Sequence, residues 1–315
     1  MGILRGCQSG AVVFNCGYAV ALSLLSIALR SANVVLRLNV QDDPFWVSGE
    51  ITGETHLVEV TFVDDLCIIL VAERATDLRT AIDILMEVLL MTFGLMDLAI
   101  NFAPAKTEAM LQFRGKQAVK LCSEFKHQDG RYLVIPPSEF LSDANPRIGL
   151  VHTYKHLGLP TAIDGSPMPA VNHNCNRAFQ AYGPLASKVF GSPQIRVNAK
   201  ILLMNTLILT RLCFNLHIMV PNAAALAKLN TAYMRPGRKI ADRCNYDGSQ
   251  GSDLRPRISI GVPSIDCLLL RRRLLHLRRI LVDAPAVLPS LLAVRKAGAL
   301  MPYTKLIIDD MKTFN

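Results

Sequence analysis

Two adjacent carboxylates interrupt a stretch that is otherwise built to be strand. Val58, Val60 and Phe62 alternate with Glu59, Thr61 and Val63, then come Asp64 and Asp65, and the apolar residues resume as Leu66, Cys67, Ile68, Ile69, Leu70 and Val71. β-Branched and apolar residues on both sides of a two-residue acidic step predict a hairpin with the carboxylate pair at its tip. A two-stranded hairpin is barely stable alone in water, so neighbouring elements must cover it. The next segment offers such a cover: Thr76 is a candidate N-cap, Leu78, Ile82, Leu85, Leu89 and Phe93 fall on one helical face, and Gly94 is a candidate stop. After it, residues 95–101 are an apolar strand candidate and strand resumes over residues 109–113.

Residues 11–29 form an uncharged apolar run of near-spanning length between Arg5 and Arg30. Such a run is either a membrane or signal segment or a helix buried in protein. Asn15, Gly17, Ser23 and Ser26 interrupt it, which favours the buried helix. Beyond residue 113 the character changes. A polar segment with Pro and Ser over residues 128–146 is linker-like, and Gly165, Ser166 and Pro167 mark the entry to a helical region. There, residues 197–220 are apolar nearly all round, as in a central helix. A later helix over residues 268–281 carries Leu270, Leu274, Leu277 and Leu281 as a stripe, with Arg272, His276 and Arg279 on another face and Arg271 and Arg278 beside them. Clustered arginines suit phosphate contacts; a solvated charged face is the plainer explanation of the same run. The fold class expected is α+β: an antiparallel sheet with packed helices over residues 1–165, then a mostly helical basic region over residues 166–315.

The charge divides along the same lines. Of the 315 residues, those up to Leu150 carry 12 Lys+Arg against 17 Asp+Glu, and the rest carry 22 against 8. An acidic front that collects cations beside a basic back that suits a polyanion points to nucleic acid. The eight cysteines are scattered without a CxxC, which reads as buried thiols in a reducing compartment. His173 and Cys175 have zinc-ligand spacing, but no second pair follows them. The Asp64–Asp65 pair suits a hard divalent cation such as Mg²⁺, which takes oxygen ligands; adjacent aspartates are also ordinary turn chemistry.

The order of several short motifs resembles the reverse transcriptase domain of non-LTR retrotransposons. Phe62, Val63, Asp64 and Asp65 look like its aromatic-x-Asp-Asp hairpin. The run from Gly2 through Arg5, Gly6 and Gly10 to Phe14 and Asn15 is similar to a glycine loop ending in F-N before a palm helix. Gly94 and Leu95, Asn101, then Lys106, Thr107 and Glu108 look like the G-L, N, K-T-E pattern that follows the hairpin. Tyr154, Lys155, His156, Leu157 and Gly158 are similar to the primer-grip turn. The likeness covers about residues 2–220, and the remainder matches only in being helical and basic.

That resemblance implies the C-terminal part of a polymerase palm followed by a thumb, and it makes residues 11–29 a buried palm helix with no stable membrane association. Asp64 and Asp65 would hold catalytic Mg²⁺, with Mn²⁺ as substitute, and Lys106 would neutralise the leaving pyrophosphate. Arg5, Gly6, Gly10, Phe14 and Phe62 would line the site for deoxynucleoside triphosphate and template. Tyr154, Lys155 and Gly158 would set the primer end, and Arg271, Arg272, Arg278 and Arg279 would hold the backbone of the RNA–DNA duplex formed by RNA template and DNA primer. Arg5 stands where the family has glutamine, and the family's other palm aspartate lies upstream of the glycine loop; Asp42 and Asp43 come after it. The chain is therefore expected not to polymerise by itself. Nucleus or cytoplasm is the expected location. Alternatives are a degenerate retroelement fragment that only binds nucleic acid nonspecifically, a membrane-associated protein anchored by residues 11–29, and a structural helical protein.

Overall fold

A computed structural model describes residues 8–40, 53–57, 59–62, 65–103, 105–133, 135, 148–156, 158–241, 253–285, 287–296 and 299–314. The fold is α+β. Its described residues fall into two compact units, the first ending at His152 and the second beginning at Thr153.

In the first unit, helix α1 (Gln8–Ser31) leads to the antiparallel pair β1 (Leu36–Val40) and β2 (Gly53–Leu57), then to a second pair, β3 (Glu59–Phe62) and β4 (Asp65–Ile68). Helix α2 (Ala75–Leu95) follows, then β5 (Glu108–Ala109), α3 (Ala118–Glu124), β6 (Tyr132–Leu133) and β7 (Ile148–Leu150). Instead of one continuous sheet, the described strands make two separate pairs and a three-stranded patch in the order β5-β7-β6. Helix α2 joins the parts because two of its faces are apolar. Ala81, Ile84, Leu85, Val88 and Leu89 pack with Leu25 and Leu29 of α1 and Leu66 and Ile68 of β4. Leu78, Ile82, Met86 and Leu90, each one turn apart, pack with Phe125, Leu133 and Ile148 over the small sheet.

Several local expectations are corrected here. Helix α2 starts at Ala75 with Arg74 at the N-cap, and the Thr76 hydroxyl meets the Asp77 carboxylate instead of capping. The helix passes Gly94 and is stopped by Asp97, whose φ of 54° turns the chain left-handed. Residues 95–101 are consequently helix end and loop rather than strand, and among the described residues no strand pairs with them. Strand beyond Lys106 shrinks to β5, and the start of the supposed linker is β6, which pairs with β7.

Helix α1 is buried on one side only. Ala21, Leu25 and Leu29 are fully covered, whereas Val20, Leu24 and Ile27 are 50%, 42% and 63% exposed. The expectation of a fully buried helix is thus half right: the sequence is apolar all round, but α2 and β4 cover one face. Among the described residues, no helix is long and apolar enough to cross a membrane.

The second unit opens with the hairpin β8 (Thr153–His156) and β9 (Leu159–Ala162), followed by α4 (Met168–Tyr182). Short turns then lead to α5 (Val197–Leu203), which widens into a π-helical stretch over Met204–Leu209 and closes as α6 (Thr210–Leu212). Lys200, Met204, Ile208 and Leu212 are all buried along this stretch. The expected continuous helix over residues 197–220 ends early, at Leu212, and Leu202, Ile218 and Val220 are exposed. Helices α7 (Ala223–Ala241), α8 (Leu254–Ser259), α9 (Ile265–Asp283) and α10 (Val287–Ala293), the pair β10 (Arg295–Lys296) and β11 (Ala299–Leu300), and α11 (Pro302–Phe314) complete the unit.

The centre of this unit is α4 against α7 and the widened helix, with Ala170, Cys175, Ala178, Leu212, Leu229 and Tyr233 fully or almost fully buried. Asn174 is buried with them and donates from Nδ2 to the carbonyls of Leu212 (3.2 Å) and Phe214 (2.7 Å), which no helix turn satisfies. Asn174→Ala is expected to cost about 2–3 kcal/mol, because it leaves two buried acceptors unpaired; urea denaturation would measure it, and a cost below about 0.5 kcal/mol would contradict this account.

Of the six described cysteines only Cys175 and Cys213 are buried, and Cys16, Cys67 and Cys267 are exposed. The expected burial holds only where a cysteine falls on a packed helix face. Desolvation pushes the Cys213 thiol up to about 11, so it is an inert core group. His173 and Cys175 gain no companions: no group of three or more metal-ligating side chains occurs among the described residues.

Candidate nucleic-acid interface

The carboxylate hairpin forms near its expected place, with a shift of one residue. Phe62 pairs with Asp65, so Asp65 opens β4 and the two connecting residues are Val63 and Asp64. Asp64 itself lies outside the described residues, as do Arg5, Gly6, Asp42 and Asp43. Gly10 and Phe14 belong to α1 rather than to a loop before it, because the helix begins at Gln8.

The segment after α2 is organised by side chains that the sequence alone gave no structural role. The Asn101 carboxamide oxygen accepts from the Ala103 amide at 3.0 Å, and the Thr107 hydroxyl donates to the Asn101 carbonyl at 2.8 Å. Together they close a tight loop that presents Lys106 exposed and then feeds Glu108 into β5 against Gly149. Asn and Thr at these positions are thus loop builders, and Lys106 is the residue they present.

The second unit brings two of the expected groups to one place. The hairpin β8–β9 pairs His156 with Leu159, leaving Leu157 and Gly158 between them, and Gly158 has a φ of 82°, which glycine adopts without strain. A Cβ at Gly158 would lie 3.7 Å from the Phe214 ring. The Arg177 guanidinium sits 5.6 Å from the centroid of the same ring. Lys155 and Arg177 both bear on His173, whose pKa burial lowers first and these two cations lower further.

The same turn meets the arginine helix. Asn215 holds a left-handed φ of 51°, reversing the chain after α6. Arg272 of α9 donates from Nη1 to the Cys213 carbonyl at 3.0 Å. One turn further, His276 and His217 meet edge to face with centroids 4.8 Å apart. Arg177 beside Phe214, Arg272 on the Cys213 carbonyl and the His217–His276 pair thus gather near the Cys213–Asn215 turn, with Lys155 acting electrostatically on His173 and Arg279 on His217. The geometry makes a cationic strip with an aromatic ring in it, the chemistry of a backbone-binding surface.

The arginine run is not uniform. Helix α9 is capped by Ser264, whose hydroxyl accepts from Cys267 N at 3.2 Å, and its buried positions are Ile265, Leu269, Arg273, Leu277 and Ile280. The stripe expected through Leu270, Leu274 and Leu281 is displaced, since Leu281 is 37% exposed and Arg273 occupies a core position. Arg271, Arg278 and Arg279 point to solvent, whereas Arg272 spends one guanidinium nitrogen on the backbone. Arg177, Arg273 and His217 were not legible as members of any site, and His173 was legible only as a possible zinc ligand with Cys175. A lone arginine or histidine carries no spacing signal, and only the fold makes them neighbours.

His217 is the most perturbed titratable group of the strip. Burial pushes it down to about 4, and the charges of His276, Arg272, Arg279 and Arg273 act in the same direction. The folded chain thus keeps His217 neutral, while the unfolded chain protonates it near the ordinary 6.5. Stability from this group is full above about pH 6.5 and is lost as pH falls towards 4, because the unfolded chain takes up the proton first. The ring is only half-buried, so solvent screening reduces the loss to about 1 kcal/mol. Urea denaturation at neutral pH and at pH near 4.5 should show a smaller difference in His217→Gln than in the parent; equal differences would reject the assignment.

Compared with protein-family models, curated proteins and solved structures, the chain matches none.

Proposed function

We propose that this chain is part of an RNA-directed DNA polymerase of the non-LTR retrotransposon type, metal-dependent in the complete protein, with the first unit as the later part of the palm and the second as a thumb-like nucleic-acid grip. The observation that carries the reading is the β3–β4 hairpin, which has Asp65 opposite Phe62 and Asp64 beside it, backed by α1 and α2. The loop that Asn101 and Thr107 close around Lys106 supports it in the expected order along the chain.

The donor set fits a hard cation in part. Asp65 opens β4, whose Leu66 and Ile68 pack into an apolar core, and Asp64 precedes it in the sequence, so the two carboxylates would supply oxygen ligands. They are two ligands of a centre that takes a further aspartate in the polymerase pattern. When bound, Mg²⁺ would neutralise triphosphate charge and activate the primer 3′ oxygen. The chain's own residues would do the rest: Asp64 and Asp65 fix the cation, Lys106 holds a positive charge towards the leaving phosphates, and the strip around Cys213–Asn215 holds the duplex through its phosphates.

Primer extension with Mg²⁺, run on this chain and on a version lengthened at its amino end from the surrounding coding sequence, tests the proposal. Synthesis by the longer version supports it. A longer version that binds an RNA–DNA duplex yet never extends a primer would favour the second reading, a nucleic-acid-binding retroelement fragment without chemistry, for which the cationic strip is the supporting observation. Either version should bind duplex less tightly as salt rises, since phosphate contacts release counterions.

A further inference from the structure

Where the His217 and His276 rings meet, the structure holds an unusual imbalance. His217 Nδ1 is buried with no hydrogen-bond partner, and a buried polar atom left unpaired is a costly feature that a ligand would relieve. Its ring lies against His276 at 4.8 Å between centroids. Every charge that acts on His217 is cationic: Arg272, Arg279 and Arg273 from α9, besides His276 itself. Asp310 of α11, the carboxylate that reaches this part of α9, is taken by Arg273 in a buried pair, and Arg211, at the end of the helix leading into the turn, donates to the Leu207 carbonyl at 2.6 Å.

A histidine pair can serve a metal ion or an anion. Arg272 and Arg279, neither balanced by a carboxylate among the described residues as Arg273 is by Asp310, disfavour a divalent cation and favour a negative ligand. A tetrahedral oxyanion gains most here, because it accepts from imidazole and guanidinium nitrogens at once and compensates charges that now repel one another.

We propose that His217, His276, Arg272 and Arg279 form a subsite for one phosphate group, and that the anion enters together with a proton taken up by the histidine pair. The source of that phosphate is a nucleic-acid backbone, which rests on the function proposed above; the anion chemistry does not depend on it. An unprotonated imidazole offers one N–H, and a protonated one offers two, so each proton gained adds a donor to the ligand. The neighbouring guanidinium groups oppose that proton until the anion balances them. Binding is therefore linked to pH: affinity rises as pH falls through the interval between the free and the liganded histidine values.

The test follows the imidazole resonances of the intact chain by NMR across pH, in chloride, in sulfate at equal ionic strength and with a short RNA–DNA duplex. Sulfate serves as a tetrahedral probe whose charge stays constant over the range. The expected result is that sulfate moves the His217 midpoint up by about two units, from about 4, and binds roughly tenfold more tightly near pH 5 than near pH 7. Arg279→Gln, at an exposed position, should weaken sulfate binding several-fold without unfolding the chain, and His217→Gln should remove most of the pH dependence. A midpoint shift with duplex as well assigns the phosphate to nucleic acid. A shift with sulfate but not with duplex keeps the anion site and makes free phosphate its ligand. No shift with either overturns the proposal, even if the chain still binds duplex elsewhere, and an anion shift without any duplex binding would sink the nucleic-acid reading while leaving this site intact.

Discussion

Arg273→Ala is expected to destabilise the second unit by about 3–5 kcal/mol. Arg273 and Asp310 are 6% and 9% exposed at their side chains and form a two-pronged pair, Nε to Oδ2 and Nη2 to Oδ1, the latter at 3.0 Å. Removing the arginine leaves a carboxylate buried beside Leu277, Ile280 and Ile307 with nothing to balance it. It also strips the cation next to Tyr303, whose hydroxyl is buried without a partner and whose pKa burial pushes up to about 12. Helix α11 should loosen first, and hydrogen exchange of its amides alongside urea denaturation would show it. The double change Arg273→Met with Asp310→Leu should recover most of the loss, because an apolar pair of similar size avoids the desolvation that the ions suffer. A single-variant cost below about 1 kcal/mol would mean that water reaches the pair.

Asp64→Asn, made in a complete and active polymerase that contains this chain, is expected to lower primer extension by roughly a thousandfold or more, or about 4 kcal/mol of transition-state stabilisation. The carboxamide is close in size to the carboxylate but lacks the charge that would hold a divalent cation. Asp65→Asn should cost less, as the second ligand of the pair. Duplex affinity should stay within about twofold for both, because the proposed phosphate contacts belong to the second unit. Folding should be unharmed as well, since adjacent carboxylates repel one another without a cation between them. Extension that survives Asp64→Asn would remove the metal role and with it the polymerase reading.

Much of the front of the chain was legible because it is written in local patterns. Alternation around Asp64 and Asp65 predicts a hairpin, and β3 and β4 form one, one residue out of the predicted register. The one-residue error has a physical source: turn propensity favours aspartate at the tip, but the register is set by which residues of β4 pack on α1 and α2, and Leu66 and Ile68 take those places. Helix α2 was legible in its existence and not in its burial, since a stripe through Leu78 and Ile82 cannot reveal that the adjacent stripe is also covered. The strand expected at residues 95–101 failed because apolar character alone does not supply a partner.

The sequence by itself determined the α+β class, the division between an acidic front and a basic back, the hairpin at the paired aspartates, and the glycine turn at Gly158, because each depends on neighbours a few residues apart. Only the tertiary structure decided which arginine of α9 is core and which are surface, that Asn174 satisfies the carbonyls after Leu212, and that Arg177, Arg272, His217 and His276 gather near one turn. Those facts depend on pairs dozens of residues apart, Asn174 with Phe214 and Arg272 with Cys213. Burial and charge act through space, and a periodic pattern records only the spacing along one element.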